Sequence, residues 1–261
     1  MTIGIVYQGG GGRASAGCGM RLALGEMGIH PDVAVGASGG NLNLVGDKWE
    51  GCYGLRKRWE SISGFFDVFL PAAPDSDGFF VPLPLRRLIR EVMSKTPMNA
   101  TPSWSVYTDF FEGRSVFHEL GVPGQELSDE DAVVASCSIP GIVQSVHGRY
   151  LDGGVMENTP ICQAIKAGAD EIFVLLCHAD KPAVIDNFGT AKKVGVLQRT
   201  LELAGVKDTQ SELVLPSTFG GTVHVITPPE WYKRSVMDFS PAAIEEGIKA
   251  GIEAVRTSFP G

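Results

Sequence analysis

Hydrophobic positions follow two periods that alternate along the first part of the chain. Ile3-Gly4-Ile5-Val6-Tyr7 is an apolar run of strand length. Gln8 and the glycine run Gly9 to Gly12 follow. From Ala16 to Met27 the apolar residues then recur at helical spacing until Gly28 ends the helix. Val33 to Val35 reads as a second strand, and a second helix starts from Asn41. This alternation predicts an α/β protein with a mostly parallel sheet and helices on its faces. Farther on, Ser128 or Asp129 caps a short helix through Ser136, with acidic residues in its first turn. Val143 to Leu151 reads as a hairpin turning at His147-Gly148. Thr159 and Pro160 open another helix, with the proline at its first position. Ile172 to Leu176 and Thr222 to Ile226 are strands, and an amphipathic helix runs from Ser240-Pro241 toward Arg256. No internal repeat or linker-like composition divides the chain, so one domain over residues 1–261 is expected.

The pattern breaks between Gly64 and Pro84. Phe65, Phe66, Phe69, Phe79 and Phe80 are interleaved there with Pro71, Pro74, Pro82 and Pro84, a texture that regular core elements do not tolerate. Two readings stand: a lid or wall of an apolar pocket, inserted over residues 64–104, or a loop that packs its own small cluster.

Composition narrows the function classes. In 261 residues, 44% are hydrophobic and 20% charged, as in ordinary soluble proteins with a sizeable core. The net charge of −8, without a compensating Lys/Arg cluster, excludes nucleic acid as a partner. Arg56-Lys57-Arg58 and Arg86-Arg87 lie in helix-like patterns and read as solvated faces, with attraction to anionic lipid head groups as the alternative. Cys18, Cys52, Cys137, Cys162 and Cys177 are odd in number and lack a C-x-x-C spacing, which fits reduced thiols. No apolar run approaches the roughly 20 residues of a membrane span, and the first strand begins without a basic leader. A cytoplasmic protein is expected, with export by a route needing no N-terminal signal left open.

The chemistry centres on Gly36-Ala37-Ser38-Gly39-Gly40. A serine between a strand and a helix, flanked by small residues, sits on a sharp turn that exposes its hydroxyl as a nucleophile. The glycine loop Gly9 to Gly12 offers backbone N–H groups to anionic oxygen. It could cradle a pyrophosphate or stabilise the oxyanion of an acyl-transfer intermediate. A dinucleotide fold also wants an acidic residue at the end of the second strand, and Gly36-Ala37-Ser38 supplies none. The serine needs a base. Asp152, in Leu151-Asp152-Gly153-Gly154, is one candidate. His224 would complete a triad in the order Ser, Asp, His, but it stands inside a strand. The remaining histidines, His30, His118, His147 and His178, lack a convincing loop context, which favours the aspartate.

Taken together, these segments resemble the patatin-like phospholipase family. Its G-G-G-x-R/K-G loop is matched by Gly9-Gly10-Gly11-Gly12-Arg13, and its E-x-G-I helix end by Glu26-Met27-Gly28-Ile29. The P-D-x-x-x-G-x-S-x-G block is matched by Pro31-Asp32 and Gly36 to Gly40, and the late D-G-G by Asp152-Gly153-Gly154. Ala135 to Gly141 is similar to the A-S/T-x-A-x-P block, and Asn158-Thr159-Pro160 to the N-x-P helix start. The match covers residues 3–44 and 132–178. Ala14 stands where the family has glycine, and Ser138 where it has alanine.

The resemblance implies a three-layer α/β/α sandwich and a Ser–Asp dyad. Ser38 would be the nucleophile and Asp152 its base. The N–H groups of Gly10, Gly11 and Gly39 would form the oxyanion hole, with Arg13 adding positive potential beside it. It implies no metal or cofactor. Substrates would be phospholipids, lysophospholipids or neutral acyl esters, reached by transient contact with a membrane surface. Acyl transfer to another alcohol would use the same residues, and a non-catalytic lipid-binding module would keep the fold alone. Oligomeric state is not predicted.

Overall fold

A computed structural model describes residues 1–95, 99–178, 192–214 and 219–260. In chain order the elements are β1 (Ile3–Tyr7), α1 (Ser15–Glu26), β2 (Val33–Ala37), α2 (Gly39–Glu60), β3 (Leu70–Pro71), β4 (Phe80–Val81), α3 (Leu83–Met93) and β5 (Ser103–Asp109). They continue with β6 (Arg114–Glu119), α4 (Asp129–Ser136), β7 (Tyr150–Asp152), α5 (Ile161–Lys166), β8 (Glu171–Leu175), α6 (Lys192–Glu212), β9 (Thr222–Ile226) and α7 (Pro241–Ser258).

The main sheet has the order β6-β5-β2-β1-β8-β9, with β7 also on β5. The pairs β2–β5, β1–β2, β1–β8 and β8–β9 are parallel, while β6 and β7 run antiparallel to β5. Side-chain alternation along the strands explains the layers. Ile5 and Tyr7 face one core together with Ala34, Phe173 and Leu175. Val6, Val35, Ala37, Ile172 and Val174 face a second core that includes Ile161 and Ala164 of α5. Both faces are therefore apolar, and the mostly parallel sheet is flanked by helices on each side, as the α/β/α expectation requires.

On the larger core, α1 is buried along Ser15–Leu24. A helix enclosed all round shows no amphipathic stripe, and its one cation needs a partner. Arg21 Nε donates to Asp47 Oδ2 at 2.7 Å, and the Tyr7 hydroxyl donates to the same oxygen at 3.0 Å. Of the two candidates for the α4 cap it is Ser128 that serves, and Ser240 caps α7. Ser128 Oγ accepts from Asp131 N at 3.1 Å, and Ser240 Oγ accepts from Ala243 N at 3.3 Å. His147 and Gly148 both have positive φ, 55° and 66°, the conformation of a tight hairpin turn. The thiols of all five cysteines are free. Among the described residues no helix is long and apolar enough to cross a membrane.

Strand β5 determines how the site is built. Its residues 104–109 pair β6 on one side. On the other side, residues 103–106 pair β2 and residues 107–109 pair β7. β2 thus ends at Ala37, opposite Val106, where β7 begins to occupy the same edge, with Asp152 opposite Tyr107. The residue after β2 and the last residue of β7 are brought head to head.

Candidate active site

Those two residues are Ser38 and Asp152. Ser38 has φ 49° and ψ −130°, a region that residues with a side chain seldom occupy. The turn lifts the hydroxyl off the end of β2, and Ser38 Oγ donates to Asp152 Oδ2 at 2.7 Å. The close-packed elbow also explains Gly39. A Cβ at that position would come within 2.7 Å of Gly11 N, so the serine's neighbour and the glycine loop touch backbone to backbone.

Asp152 is 5% exposed and held at every polar atom. Its Oδ1 accepts from Gly154 N at 2.7 Å, its N–H donates to Ser138 O at 2.9 Å, and its carbonyl accepts from Thr108 Oγ1 at 2.9 Å. Burial pushes its pKa from the ordinary 3.8 to about 7, against the opposing bonds from Ser38 and Gly154. A carboxylate poised near neutrality and bonded to a hydroxyl can take that proton and give it back. A second carboxyl, Glu157, is also raised to about 7, by burial and by the charges of Glu212 and Asp208. Among the described residues it bonds to neither Ser38 nor Asp152.

The glycine loop follows β1 and enters a 3-10 turn at Gly11–Ala14. Gly12 N donates to Val236 O at 2.8 Å, Arg13 N to Gly10 O at 3.1 Å, and Gly9 N to Asn158 O at 3.0 Å. Among the described residues, no protein acceptor takes the N–H of Gly10 or Gly11. Gly39 N–H opens α2, where helical N–H groups have no partner within the helix. Gly11 has φ +53°, and a Cβ there would lie 2.2 Å from Val236 O, so this position excludes a side chain. Gly10 and Gly11 line the same cleft as Ser38, and backbone N–H groups left in this way can receive a negatively charged oxygen.

Ser38, Asp152, Gly10, Gly11 and Arg13 line one open cleft of about 650 Å³, solvent-filled mouth included. Arg13 is half-buried in its wall, and its charge partly offsets the burial that pushes the Cys177 thiol to about 12. Ile139, Pro140 and Ile142 form an apolar wall, with Val155, Val236 and Met237 also in the lining. Ala14, in place of the family glycine, is fully buried under the loop and accepts from Asn43 Nδ2 at 2.8 Å. Among the described residues, no group of three or more His, Cys, Asp or Glu side chains is arranged to hold a metal.

The geometry also places other residues that the sequence singled out. No described residue of 64–104 lines the cleft, and residues 96–98 lie outside the described part. Phe65 instead packs against Phe66, Phe69, Phe80 and Phe239. Phe80 then bonds through its backbone to Ile142 and Gln144, at 2.9 and 2.8 Å. The segment backs the apolar wall from behind. His224 is turned away: its ring stacks on Phe173, and its Nε2 lies 3.0 Å from Glu171 Oε1. His178, passed over on local context, does line the cleft, as does Asn158. The N-x-P pattern was the only signal for Asn158, and none in the sequence singled out His178. The basic residues of α2 and α3 are engaged on helix surfaces, Arg58 with Glu50 and Glu91, Arg86 with Glu130 and Asp131.

Comparison with known proteins bears on the family of the chain. A family model described as patatin-like phospholipase matches residues 5–165. Among curated proteins, an uncharacterized NTE family protein of Mycobacterium tuberculosis is 28% identical over 171 residues, covering 61% of this chain and 27% of that protein. An uncharacterized NTE family protein of Mycobacterium bovis is 29% identical over 169 residues, with the same shares of each. The matched region is thus only 27% of the length of these relatives.

Proposed function

The chain belongs to the patatin-like phospholipase family, and on that premise we propose that it is a lipid acyl hydrolase working through an acyl-Ser38 intermediate. The observation that carries the reading is the 2.7 Å bond from Ser38 Oγ to the buried Asp152 carboxylate, on a strained elbow facing the cleft. Asp152 Oδ2 takes the hydroxyl proton as Ser38 Oγ attacks the acyl carbon of an ester. The carbonyl oxygen becomes an oxyanion and receives the N–H groups of Gly10, Gly11 and Gly39. The tetrahedral intermediate collapses, the ester C–O bond breaks, and Asp152 returns its proton to the departing alcohol oxygen. Water then gives a proton to Asp152 and attacks the acyl-serine carbon. The second collapse releases a carboxylic acid while Ser38 Oγ recovers its proton.

Arg13, on the rim of the same cleft, adds positive potential toward the oxyanion or a lipid phosphate. The apolar wall Ile139-Pro140-Ile142 suits an acyl chain, so the substrate is a lipid ester reached at a membrane surface. The reaction runs in the cytoplasm on this reading. The test is turnover of p-nitrophenyl esters of rising chain length, followed by an untargeted lipid screen of the protein against Ser38→Ala. Release of free fatty acid only by the unmodified protein is expected. Equal product from both would overturn the proposal, and acylated acceptor alcohol in place of free acid would make the protein a transferase.

A further inference from the structure

Three consecutive residues at the C-terminal end of α4, Ser136 to Ser138, contact the two members of the dyad. The buried Ser38 N–H donates to Ser136 Oγ at 2.9 Å. The Cys137 thiol donates to Ser38 O at 3.3 Å. The carbonyl of Ser138 accepts from Asp152 N at 2.9 Å. Ser136 is fully buried and sits beside the residue after the aspartate as well, since a Cβ on Gly153 would lie 3.3 Å from Ser136 Oγ.

Ser38 and Asp152 are 114 residues apart in the chain, at the ends of two strands that do not pair with each other. Their shared neighbour β5 aligns them only to the level of a register. A register does not keep the peptide of Ser38 in a positive-φ conformation, because the surrounding structure must over-determine such a residue. Ser136 does so by holding its N–H, and Cys137 by sharing its C=O with Asn41 N, which donates to that oxygen at 2.9 Å. Ser138 ties the same short segment to the backbone of Asp152. Ser138 contributes through its main chain; its side chain turns back and donates to Val134 O at 3.0 Å.

Resting on the proposed Ser38–Asp152 chemistry, we infer that Ser136-Cys137-Ser138 is a positioning brace that sets the reach between nucleophile and base, with the Ser136 hydroxyl its principal member. None of the three side chains acts on the substrate. Removing the Ser136 oxygen leaves the Ser38 N–H without an acceptor and frees the elbow to relax toward ordinary φ. The hydroxyl then drifts off Asp152, and a displacement of about 1 Å at a reacting centre lowers the rate about 10²-fold.

The test measures kcat, KM and the rate of fluorophosphonate labelling at Ser38 for Ser136→Ala, Ser136→Thr, Cys137→Ala and Ser138→Ala, with folding checked by circular dichroism and thermal melting. Ser136→Ala is expected to lose about 10²-fold in kcat and labelling rate at unchanged KM, with Ser136→Thr restoring most of both. Cys137→Ala should lose several-fold and Ser138→Ala nothing. Should Ser136→Ala not fold, the Cys137→Ala and Ser138→Ala pair decides by the same readout. A folded Ser136→Ala labelled as fast as the parent overturns the brace, and so does a loss confined to KM or to melting temperature. Failure of the parent protein itself to label or turn over would instead count against the functional reading.

Discussion

Neutralising the proposed base should make the protein more stable while abolishing turnover. Asp152 carries its carboxylate into a site 5% exposed, where burial lifts the pKa from 3.8 to about 7. Each pH unit between the unfolded and folded values is worth about 1.4 kcal/mol, so the ionised group costs the fold up to about 4 kcal/mol. The sign follows from proton counting. Below pH 3.8 the carboxyl is protonated in both states and costs nothing. Between that value and about 7 the unfolded chain has lost the proton and the folded one keeps it, so stability falls as pH rises. Above 7 the penalty is level. An Asp152→Asn side chain keeps an oxygen for Gly154 N–H and presents an amide to Ser38 Oγ, with no charge to desolvate. Urea denaturation of the two proteins from pH 4 to 9 should therefore show curves that coincide near pH 4 and separate to several kcal/mol by pH 8, with a melting difference on the order of 10 °C there. A difference independent of pH, or a variant less stable than the parent at pH 8, would refute the reasoning.

Other predictions concern the core, the unused histidine and the rim. Arg21→Ala leaves the buried Asp47 carboxylate without its ionic partner, with the Tyr7 hydroxyl still donating to it, and should cost about 3–5 kcal/mol in urea denaturation; a loss under 1 kcal/mol would show that this pair is not structural. His224→Ala, remote from the cleft, should retain turnover within two-fold, whereas its loss would restore an ordinary triad. Phe110 and Phe111 form the tip of the β5–β6 hairpin and are 63% and 71% exposed. Phe110 lies three residues, about 10 Å, beyond the row holding Asp152, and Phe111 follows it in the turn. Phe110→Asp with Phe111→Asp should slow hydrolysis of phosphatidylcholine vesicles several-fold and leave p-nitrophenyl butyrate untouched; equal effects on both substrates would argue against a membrane-facing tip.

The sequence was most readable where one residue type had one reason to be present. The apolar runs of β1 and β8, the caps at Ser128 and Ser240 and the elbow around Ser38 all have local causes. β5 was not legible, although it is the strand that joins the site. Ser103-Trp104-Ser105-Val106-Tyr107-Thr108-Asp109 puts polar residues at positions that are buried, because each has a specific partner: Ser105 with Asn41, Thr108 with the Asp152 carbonyl, Asp109 with Arg149. A hydrophobic period cannot report polar groups satisfied by distant chain. The role of residues 64–84 was undecided for a similar reason. Its rings Phe65 and Phe69 pack with Phe239, at least 170 residues later, so the cluster exists only in three dimensions. The Ala135–Gly141 block was visible as a pattern, but its contacts with Ser38 and Asp152 emerge only once β7 is laid beside β5.

The central claim, that Ser38 is the nucleophile and Asp152 its base, is tested most directly by the pH dependence of fluorophosphonate labelling, with the modified residue located by mass spectrometry. A single adduct on Ser38 is predicted, forming faster as pH rises through about 7, where Asp152 ionises. The Glu157→Gln variant should keep that profile, and Asp152→Asn should lose it together with nearly all of the rate. A folded protein with no adduct on Ser38, or an Asp152→Asn variant that labels at the parental rate, would contradict the account.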